Sequence, residues 1–446
     1  MSLRISFQRL ADLSPLERSN LLKRTESDLA PFLEKVKPII EAVRVEGDTA
    51  LARFALQFDK APVNPDQLAA TPEDFALART LLDREVAEAI TYAATNIRKF
   101  HELQKPSPSW TAEISPGVFA GDRTLPIPSV ACYIPRGKGA FPSSVMMTCI
   151  PATVAGVADI CIITPPGPDG NIDAATLVAA EAAGVTKVYK AGGAQGIAAV
   201  AYGTRTISKY TKVVGPGSPW VVAAKRLLSD VIDTGTPAGP SESIIFADAT
   251  TDGRLAALDL LIEAEHGDDS SAFIVTTSED VANAARSAIP EYWKRMGAQR
   301  VAFTQAVLSS TRGGILLARD TAEAMDFIND YAPEHLQILS KSPRQYLDFV
   351  KNAGEILLGE YTPSTLANFV IGPSHVLPTG GWAKTFSALS VHDFMKRTSV
   401  AEVTSEAYPE QAKYARIIAA YEGFDAHANA VSDLRKIVNG KMDKLA

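Results

Sequence analysis

The chain has 446 residues, of which 46% are hydrophobic and 21% are charged, and its formal net charge is −7. This length and composition predict a globular protein with ample cores, built from two or more domains or one large α/β body. The negative charge disfavours nucleic acid as a partner, because phosphate contacts need concentrated Lys and Arg. No apolar run reaches the ~18 residues of a membrane span, and the N-terminus lacks a signal-peptide pattern. We therefore expect a cytoplasmic protein without a membrane partner.

The three cysteines, Cys132, Cys149 and Cys161, all stand among apolar neighbours. An odd number of cysteines in a chain of this length does not predict a disulfide framework. Apolar surroundings favour small core residues and disfavour a cysteine nucleophile, which needs a stabilised thiolate.

The predicted elements change in character near Ser129. The first ~110 residues carry apolar residues at helical spacing, with Gly47 as a break. From Ser129 onward, short apolar runs end in glycine or proline loops, as in "SVACYIPRGKG", "DICIITPPGPDG", "KVYKAGGAQG" and "TKVVGPGSP". Helices are predicted after these runs, at 143–155, 173–183, 196–202 and 220–228. A second series of strands follows in "ESIIFAD", "AFIVTT", "GILLARD", "HLQILS" and "EILLG".

Buried strands that alternate with helices predict an α/β fold with two Rossmann-like, doubly wound domains of parallel sheet. We divide the chain into an N-terminal helical segment (1–28), a discontinuous first α/β domain (29–111 and 244–389), a second, nucleotide-binding α/β domain (112–243) and a helical C-terminal tail (390–446). The tail is too short for a core of its own, so we expect it to dock on a neighbouring subunit.

Two adjacent proton-transfer groups, Glu334 and His335, stand after a proline and directly before the apolar run "LQIL". A loop with two solvated side chains is the usual explanation of such a dipeptide. The alternative is a catalytic acid–base pair, which needs both groups beside one substrate.

A metal site is the second candidate. Glu263 and His266 lie one helical turn apart on the same face, so both could bind one ion. A charged helix C-terminus explains the pair at least as well. Asn368 and His375 stand in the apolar segment "STLANFVIGPSHVLPTGG", where polar groups need partners such as a metal or a substrate.

Three glycine loops, "PRGKG", "AGGAQG" and "VGPGS", each stand where a strand is predicted to run into a helix. Backbone N–H groups at such positions favour phosphate, although none of the loops spells G-x-G-x-x-G. Three of them at the ends of adjacent strands fit a nucleotide site in the crevice of an open sheet.

These segments together resemble the histidinol dehydrogenase family. The blocks that carry the resemblance are "CYIPRG", "GGAQGIAAVAYGT", "VGPG", "PAGPSES", "LLIEAEHG", "YAPEHLQI", "HVLPTGG" and "AHANAV", in this order. The family implies an NAD-dependent homodimer with one zinc per subunit and shared active sites. It would oxidise L-histidinol through L-histidinal to L-histidine by two hydride transfers, the last steps of histidine biosynthesis.

The resemblance also implies the roles of individual residues. Glu334 and His335 would be catalytic. The zinc ligands would be Glu263, His266, Asn368 and His427. The substrate contacts would be these four ligands together with Ser241, His335, His375 and Glu422. The NAD contacts would be Tyr133, Gln195 and Ser218. His427 and Glu422 would reach into the active site of the other subunit.

This chain departs from the family pattern at four of these positions or beside them. Glu263 stands where a Gln ligand is usual and Asn368 where an Asp is usual, which keeps one carboxylate, one amide and two imidazoles. Ser218 replaces an Asn near the nucleotide, and Ser364 replaces a Glu near the substrate. The alternatives are therefore a paralogous zinc and NAD dehydrogenase of another primary alcohol, such as a sulfonated diol, a non-redox zinc hydrolase, or a non-catalytic binding protein.

Overall fold

The structure is a computed structural model that describes residues 5–24, 29–136 and 139–435, and the backbone of 437–438 and 441–442. The leading "MSL" and residues 137–138 of the "PRGKG" loop lie outside the described residues. The strands in chain order are β1 (Phe7–Arg9), β2 (Ser109–Ser115), β3 (Val118–Pro126), β4 (Ser129–Tyr133), β5 (Asp159–Thr164), β6 (Lys187–Lys190), β7 (Val213–Val214), β8 (Glu242–Ala247), β9 (Ser271–Thr276), β10 (Gly313–Leu317), β11 (His335–Leu339), β12 (Glu355–Leu358), β13 (Met395–Val403), β14 (Ile437–Val438) and β15 (Lys441–Met442).

Helices separate most of these strands, as the alternating sequence pattern predicts. They are α1 (Pro15–Leu21), α2 (Ala30–Glu46), α3 (Asp48–Phe54), α4 (Pro72–Leu81), α5 (Arg84–Gln104), α6 (Pro142–Ala155), α7 (Ala174–Ala183), α8 (Gly193–Tyr202), α9 (Pro219–Leu227), α10 (Gly253–Ala264), α11 (Glu279–Trp293), α12 (Ala298–Leu308), α13 (Thr321–Tyr331), α14 (Ser364–Phe369), α15 (Tyr408–Tyr421) and α16 (Asp425–Ala430). None of the helices in the described ranges combines the length and the apolar composition that crossing a bilayer requires.

The larger of two compact units, Met1–Lys105 with Ile127–Phe394, contains both parallel sheets. Its six-stranded sheet has the order β1-β10-β9-β8-β11-β12. Successive residues of β8 face opposite sides: Ile245 packs with α10, α11 and α12, whereas Ile244 packs with α13. Because both faces are covered, the strands read as continuous apolar runs. The predicted α/β class with doubly wound parallel sheets is confirmed.

The second parallel sheet has the order β6-β5-β4-β7. Helices α2, α3, α8 and α9 share one core with it, in which Val36 and Ile40 of α2 join Tyr133 and Ile163 of the sheet. Helix α6 packs against β4 and β5. This packing differs from the predicted grouping of residues 29–111 with 244–389, since α2 and α3 cover the four-stranded sheet formed by residues of the predicted 112–243 domain. Hydrophobic spacing predicts that a helix has a buried face and leaves open which sheet covers it.

The N-terminal segment 1–28 contributes a strand as well as a helix, because β1 pairs in parallel with β10 at the edge of the six-stranded sheet. The sequence analysis treats this segment as helical only. A three-residue strand has too little sequence pattern to be distinguished from a loop.

The smaller unit, Pro106–Pro126 with Met395–Ala446, contains an antiparallel sheet of order β13-β3-β2 together with α15 and α16. The prediction that 390–446 is a helical tail is wrong for Met395–Val403, which pairs along its length with β3. Residues 109–126 likewise join this sheet and not the parallel sheet of the predicted 112–243 domain. The cause is pairing between segments some 270 residues apart, which local propensity does not reveal.

Candidate active site

The candidate active site lies where three neighbouring strands of the six-stranded sheet begin. His335 opens β11, and the parallel register places it opposite Ser243 of β8 and Glu355 of β12. Helix α10 returns to this edge, so that Glu263 in its last turn lies with Oε1 3.8 Å from His335 Nε2. Both side chains are almost fully buried. The site therefore combines groups from a strand start and a helix end, and it is enclosed by protein.

The turn before β11 decides how Glu334 and His335 are oriented. Ala332 ends α13 in the left-handed region, with φ 52° and ψ 65°, and Pro333 follows. Glu334 lies before the strand, and its carboxylate Oε1 is 3.7 Å from His335 Nε2. Its Oε2 accepts a hydrogen bond of 2.9 Å from the backbone N–H of Glu242. Consecutive strand residues would face opposite sides, but here the turn brings both side chains to one place.

Three carboxylates surround the His335 imidazole. Its Nδ1 is 2.5 Å from Glu355 Oε1, while Nε2 faces Glu263 and Glu334. Burial alone would lower the pKa of His335, but these carboxylates outweigh it and raise the pKa to about 10. Burial is also the main reason why the pKa of Glu334 is raised well above its usual range. The cluster has an excess of negative charge and therefore favours a bound cation.

The predicted metal ligands Glu263, His266 and Asn368 meet in this cluster. Asn368 Nδ2 donates to Glu263 Oε1 at 2.8 Å, and Asn368 Oδ1 is buried without a hydrogen-bond partner among the described residues. His266 Nδ1 lies 3.1 Å from the carbonyl oxygen of Ile262 and 3.2 Å from Glu263 Oε2. A proton on Nδ1 leaves Nε2 as a ligand atom, the usual arrangement of a metal-binding histidine.

The charge on Glu263 also suits a ligand. Burial raises the pKa of Glu263, but His266, His335 and the Asn368 amide outweigh that effect, and the pKa falls below its ordinary value. The carboxylate is therefore ionised, as an oxygen ligand to zinc must be.

His375 lies next to these residues and is joined to them by hydrogen bonds. Its Nδ1 is 2.8 Å from the carbonyl oxygen of Asn368, and its Nε2 is 3.3 Å from Ser144 Oγ on α6. Burial lowers the pKa of His375 to about 4, so the ring is neutral. Ser241 immediately precedes β8, one residue before the Glu242 amide that binds Glu334.

The predicted NAD contacts lie at the other sheet, where its strands end. Tyr133 ends β4, and its hydroxyl accepts a hydrogen bond of 3.3 Å from the backbone N–H of Gly193 at the start of α8. Gln195 is buried in the first turn of the same helix. Ser218 is the N-cap residue of α9 and is exposed, with no side-chain hydrogen bond to the cap.

Glu422 and His427 belong to the smaller unit, where both are exposed. The His427 ring lies 5.3 Å from that of Phe424. Within the described ranges, no group of three or more His, Cys, Asp and Glu side chains is arranged to hold a metal ion. The ligand set implied by the resemblance includes an amide and a residue of the smaller unit.

The sequence analysis missed Glu355, Glu242, Ser144 and the pair Asp259–Gln337. Glu355 is the residue directly opposite His335 in the parallel register, and the sequence signal is its position at the start of the apolar run "EILLG". Pairing of that run with "HLQIL" would have identified it. Asp259 lies one helical turn before Glu263 on α10, and Gln337 lies two residues after His335 on β11. Gln337 Nε2 donates to Asp259 Oδ2 at 2.8 Å.

Comparison with known proteins identifies the family of this chain. The sequence model of the family described as histidinol dehydrogenase matches residues 22–435. The chain belongs to the histidinol dehydrogenase family. A Mesorhizobium japonicum protein named histidinol dehydrogenase homolog 2 is 59% identical over 97% of this chain and 98% of its own length. Histidinol dehydrogenase from Synechocystis is 47% identical over 96% of this chain and 99% of its own length.

A solved structure shows the same fold. The crystal structure of histidinol dehydrogenase from Elizabethkingia anophelis superimposes with a TM-score of 0.90 at 31% identity, covering 96% of this chain and 97% of that one. Membership of the family implies an oxidoreductase that acts on a small molecule, consistent with the oxidation that completes histidine biosynthesis.

Proposed function

We propose that this chain is an NAD-dependent, zinc-containing dehydrogenase that oxidises a primary alcohol to a carboxylate by two hydride transfers. The first candidate substrate is L-histidinol, which would be oxidised through L-histidinal to L-histidine. The observation that carries the proposal is the buried cluster in which the carboxylates of Glu334 and Glu263 both lie within 4 Å of His335 Nε2, beside Asn368, whose Oδ1 has no hydrogen-bond partner among the described residues. A proton-transfer pair next to a cation-favouring donor set suits alcohol oxidation.

The residues present fit zinc. Glu263 and Asn368 provide oxygen donors and His266 provides a ring nitrogen, and we assign the fourth position to His427. When bound, zinc acts as a Lewis acid toward the alcohol oxygen and offsets the negative charge that holds the proton on His335. The unpartnered Oδ1 of Asn368 supports this assignment, because a buried amide oxygen without a partner is costly.

The side chains divide the proton transfers between them. His335, oriented by Glu355 through its Nδ1, would accept the hydroxyl proton through Nε2 when the alcohol is oxidised, and NAD would supply the hydride acceptor. The aldehyde must then gain a water before it can release a second hydride. Glu334 suits the activation of that water, because burial raises its pKa above the usual range of a carboxyl and its Oε2 is held by the Glu242 amide. The site needs no cysteine nucleophile, and all three cysteines are buried.

A homodimer with shared active sites would complete the site. The smaller unit exposes large apolar side chains that a partner could cover: Trp110, Ile114, Tyr414, Ile417, Ile418 and Tyr421. Exposed apolar residues in such number are typical of an interaction surface. Glu422 and His427 follow this surface in sequence and are exposed. We assign them to the substrate and zinc of the neighbouring subunit.

A second candidate is a paralogous dehydrogenase of another primary alcohol, such as a sulfonated diol. Ser364 lies at the start of α14, near the ligand Asn368, and its Oγ is buried without a hydrogen-bond partner among the described residues. A neutral hydroxyl where a Glu is usual removes one negative charge and some volume from this part of the site. The name "homolog" of the 59% identical relative is consistent with this candidate.

The decisive experiment counts NADH formed per molecule of L-histidinol consumed, with and without a chelator. Two NADH per histidinol, lost with the chelator and restored by zinc, is the expected result. A protein that retains zinc and NAD but does not oxidise L-histidinol would support the second candidate, to be tested on a panel of primary alcohols. A protein that binds zinc but no nucleotide would contradict both and suggest a hydrolase. One that binds neither would suggest a non-catalytic binding protein.

A further inference from the structure

Asp59 brings a carboxylate with an unpaired oxygen to the nucleotide-binding region. It ends a single π-helical turn, Ala55–Asp59, that directly follows α3. Its Oδ2 is buried and has no hydrogen-bond partner among the described residues. Lys60 closes the turn in the left-handed region with φ 58°, and the Ala61 N–H donates to the Ala55 carbonyl oxygen at 3.1 Å. The backbone around Asp59 is thus held in place, while its carboxylate is left with an unused acceptor.

The surroundings of Asp59 place it at the carboxyl ends of the four-stranded sheet. Burial and the charge of Asp59 raise the pKa of Tyr133, the last residue of β4. Burial raises the pKa of Asp59 itself, and the Arg136 guanidinium in the loop after β4 opposes this effect. Arg136 Nη1 in turn lies 3.4 Å from the carbonyl oxygen of Asn171, in the loop after β5. The chain just after Asp59 touches that same loop, since a Cβ at Gly170 would lie 2.7 Å from the Pro62 carbonyl oxygen.

In an open parallel sheet, nucleotides bind in the crevice outside the carboxyl ends of the strands. An acidic side chain in such a crevice can accept hydrogen bonds from the ribose hydroxyls of NAD and would repel the 2′-phosphate of NADP. We propose that Asp59 selects the cofactor, by accepting hydrogen bonds from the adenosine ribose hydroxyls and excluding a phosphorylated ribose.

This inference rests on the proposed NAD-dependent function. It adds to that function a residue that determines cofactor specificity. No G-x-G-x-x-G loop and no acidic residue at the end of a predicted strand indicates Asp59 in the sequence. Arg136 is the competing feature, because a guanidinium in the same place would attract a 2′-phosphate. The proposed role of Asp59 requires that its carboxylate, and not the Arg136 guanidinium, faces the ribose. The two arrangements predict opposite nucleotide preferences.

The test is direct binding of NADH and NADPH to the zinc-loaded protein at pH 8, followed by nucleotide fluorescence. Burial raises the pKa of Asp59 to about 6, so the carboxylate is ionised at this pH. The parent should bind NADH more tightly than NADPH. Asp59→Asn should reduce that preference about tenfold to hundredfold, the loss expected for hydrogen bonds to a charged group and for a removed repulsion.

The matched control is Asp66→Asn. Asp66 lies seven residues further along the same connecting segment, is exposed and pairs with Arg205 at the surface, so this variant makes the same charge change outside the crevice. It should keep the parent preference. Circular dichroism and thermal melting of both variants report whether they fold.

The outcomes separate this inference from the proposed function. A parent that oxidises its substrate with NAD, while Asp59→Asn changes the preference by less than about twofold, would overturn only the role of Asp59. A parent that prefers NADPH would assign the crevice to Arg136 and would also overturn it. A zinc-loaded parent that binds neither nucleotide would overturn the NAD-dependent function, and the role of Asp59 with it.

Discussion

A carboxylate buried next to the candidate active site provides a test of the energetics of this region. Asp259 on α10 is 4% exposed and accepts a hydrogen bond of 2.8 Å from Gln337 Nε2 on β11. The Oε1 atom of Gln337 is buried without a hydrogen-bond partner among the described residues. We predict that Asp259→Asn stabilises the protein, because the Asn amide removes a buried charge and can donate to that oxygen.

The magnitude follows from the pKa of Asp259. Burial raises it from 3.8 to about 6, against the opposing effect of the Gln337 hydrogen bond. The unfolded chain therefore loses this proton at a lower pH than the folded protein, so stability falls as pH rises through the range from 3.8 to about 6. At ~1.4 kcal/mol per pH unit the ionised side chain costs about 3 kcal/mol at pH 8 and roughly half of that at pH 5.

The assay is urea unfolding of parent and variant at pH 8 and pH 5, at one fixed protein concentration. Asp259→Asn should raise the free energy of unfolding by about 3 kcal/mol at pH 8 and by about half as much at pH 5. Asp259→Leu is the control, since it removes the charge but leaves Gln337 Nε2 unpaired, and its gain should be smaller. A variant less stable than the parent at pH 8, or a gain that does not change with pH, would refute the reasoning.

Three further predictions concern the candidate active site. Glu334→Gln should slow oxidation of the aldehyde about 10²- to 10⁴-fold and spare the first oxidation more, measured with alcohol and aldehyde supplied separately; equal losses would assign the water-activating role elsewhere. Glu355→Gln should lower kcat about 10- to 100-fold with zinc content unchanged, because His335 loses the carboxylate that orients its ring; an unchanged kcat would show that Glu355 is dispensable. Glu263→Gln should weaken zinc binding about tenfold or more in chelator competition, and adding Asn368→Asp should restore it to within about threefold. A double variant as weak as the single one would mean that the two ligand positions are not exchangeable.

Local patterns in the sequence were sufficient for the fold class. Apolar runs such as "DICIITPPGPDG" and "ESIIFAD" predict buried strands because both sheet faces are covered, and β5 and β8 are found there. The helices after "SVACYIPRGKG" and the loops that follow it also begin close to their predicted positions, because proline and glycine restrict where a helix begins and ends. The family was recognisable for the same reason, since its blocks are contiguous in sequence.

The candidate site was predictable only in part. Glu334 and His335 stand out because two proton-transfer groups are adjacent, but their convergence depends on the left-handed turn at Ala332, which few non-glycine residues adopt. Glu263 and His266 are linked by helical spacing. No local signal links them to Asn368, which lies 105 residues beyond Glu263 and hydrogen-bonds to it.

By itself, the sequence determined most strands of the two parallel sheets and the helices between them, which family the chain belongs to, and which polar residues are unusual for their surroundings. These properties depend on neighbours within a few turns of chain. The tertiary structure alone decided that α2 and α3 cover the four-stranded sheet, that Met395–Val403 is a strand, and that Glu355 lies against His335. Each of these depends on which distant segment supplies the covering surface or the pairing edge, and hydrophobic pattern specifies that a face is buried without specifying by what.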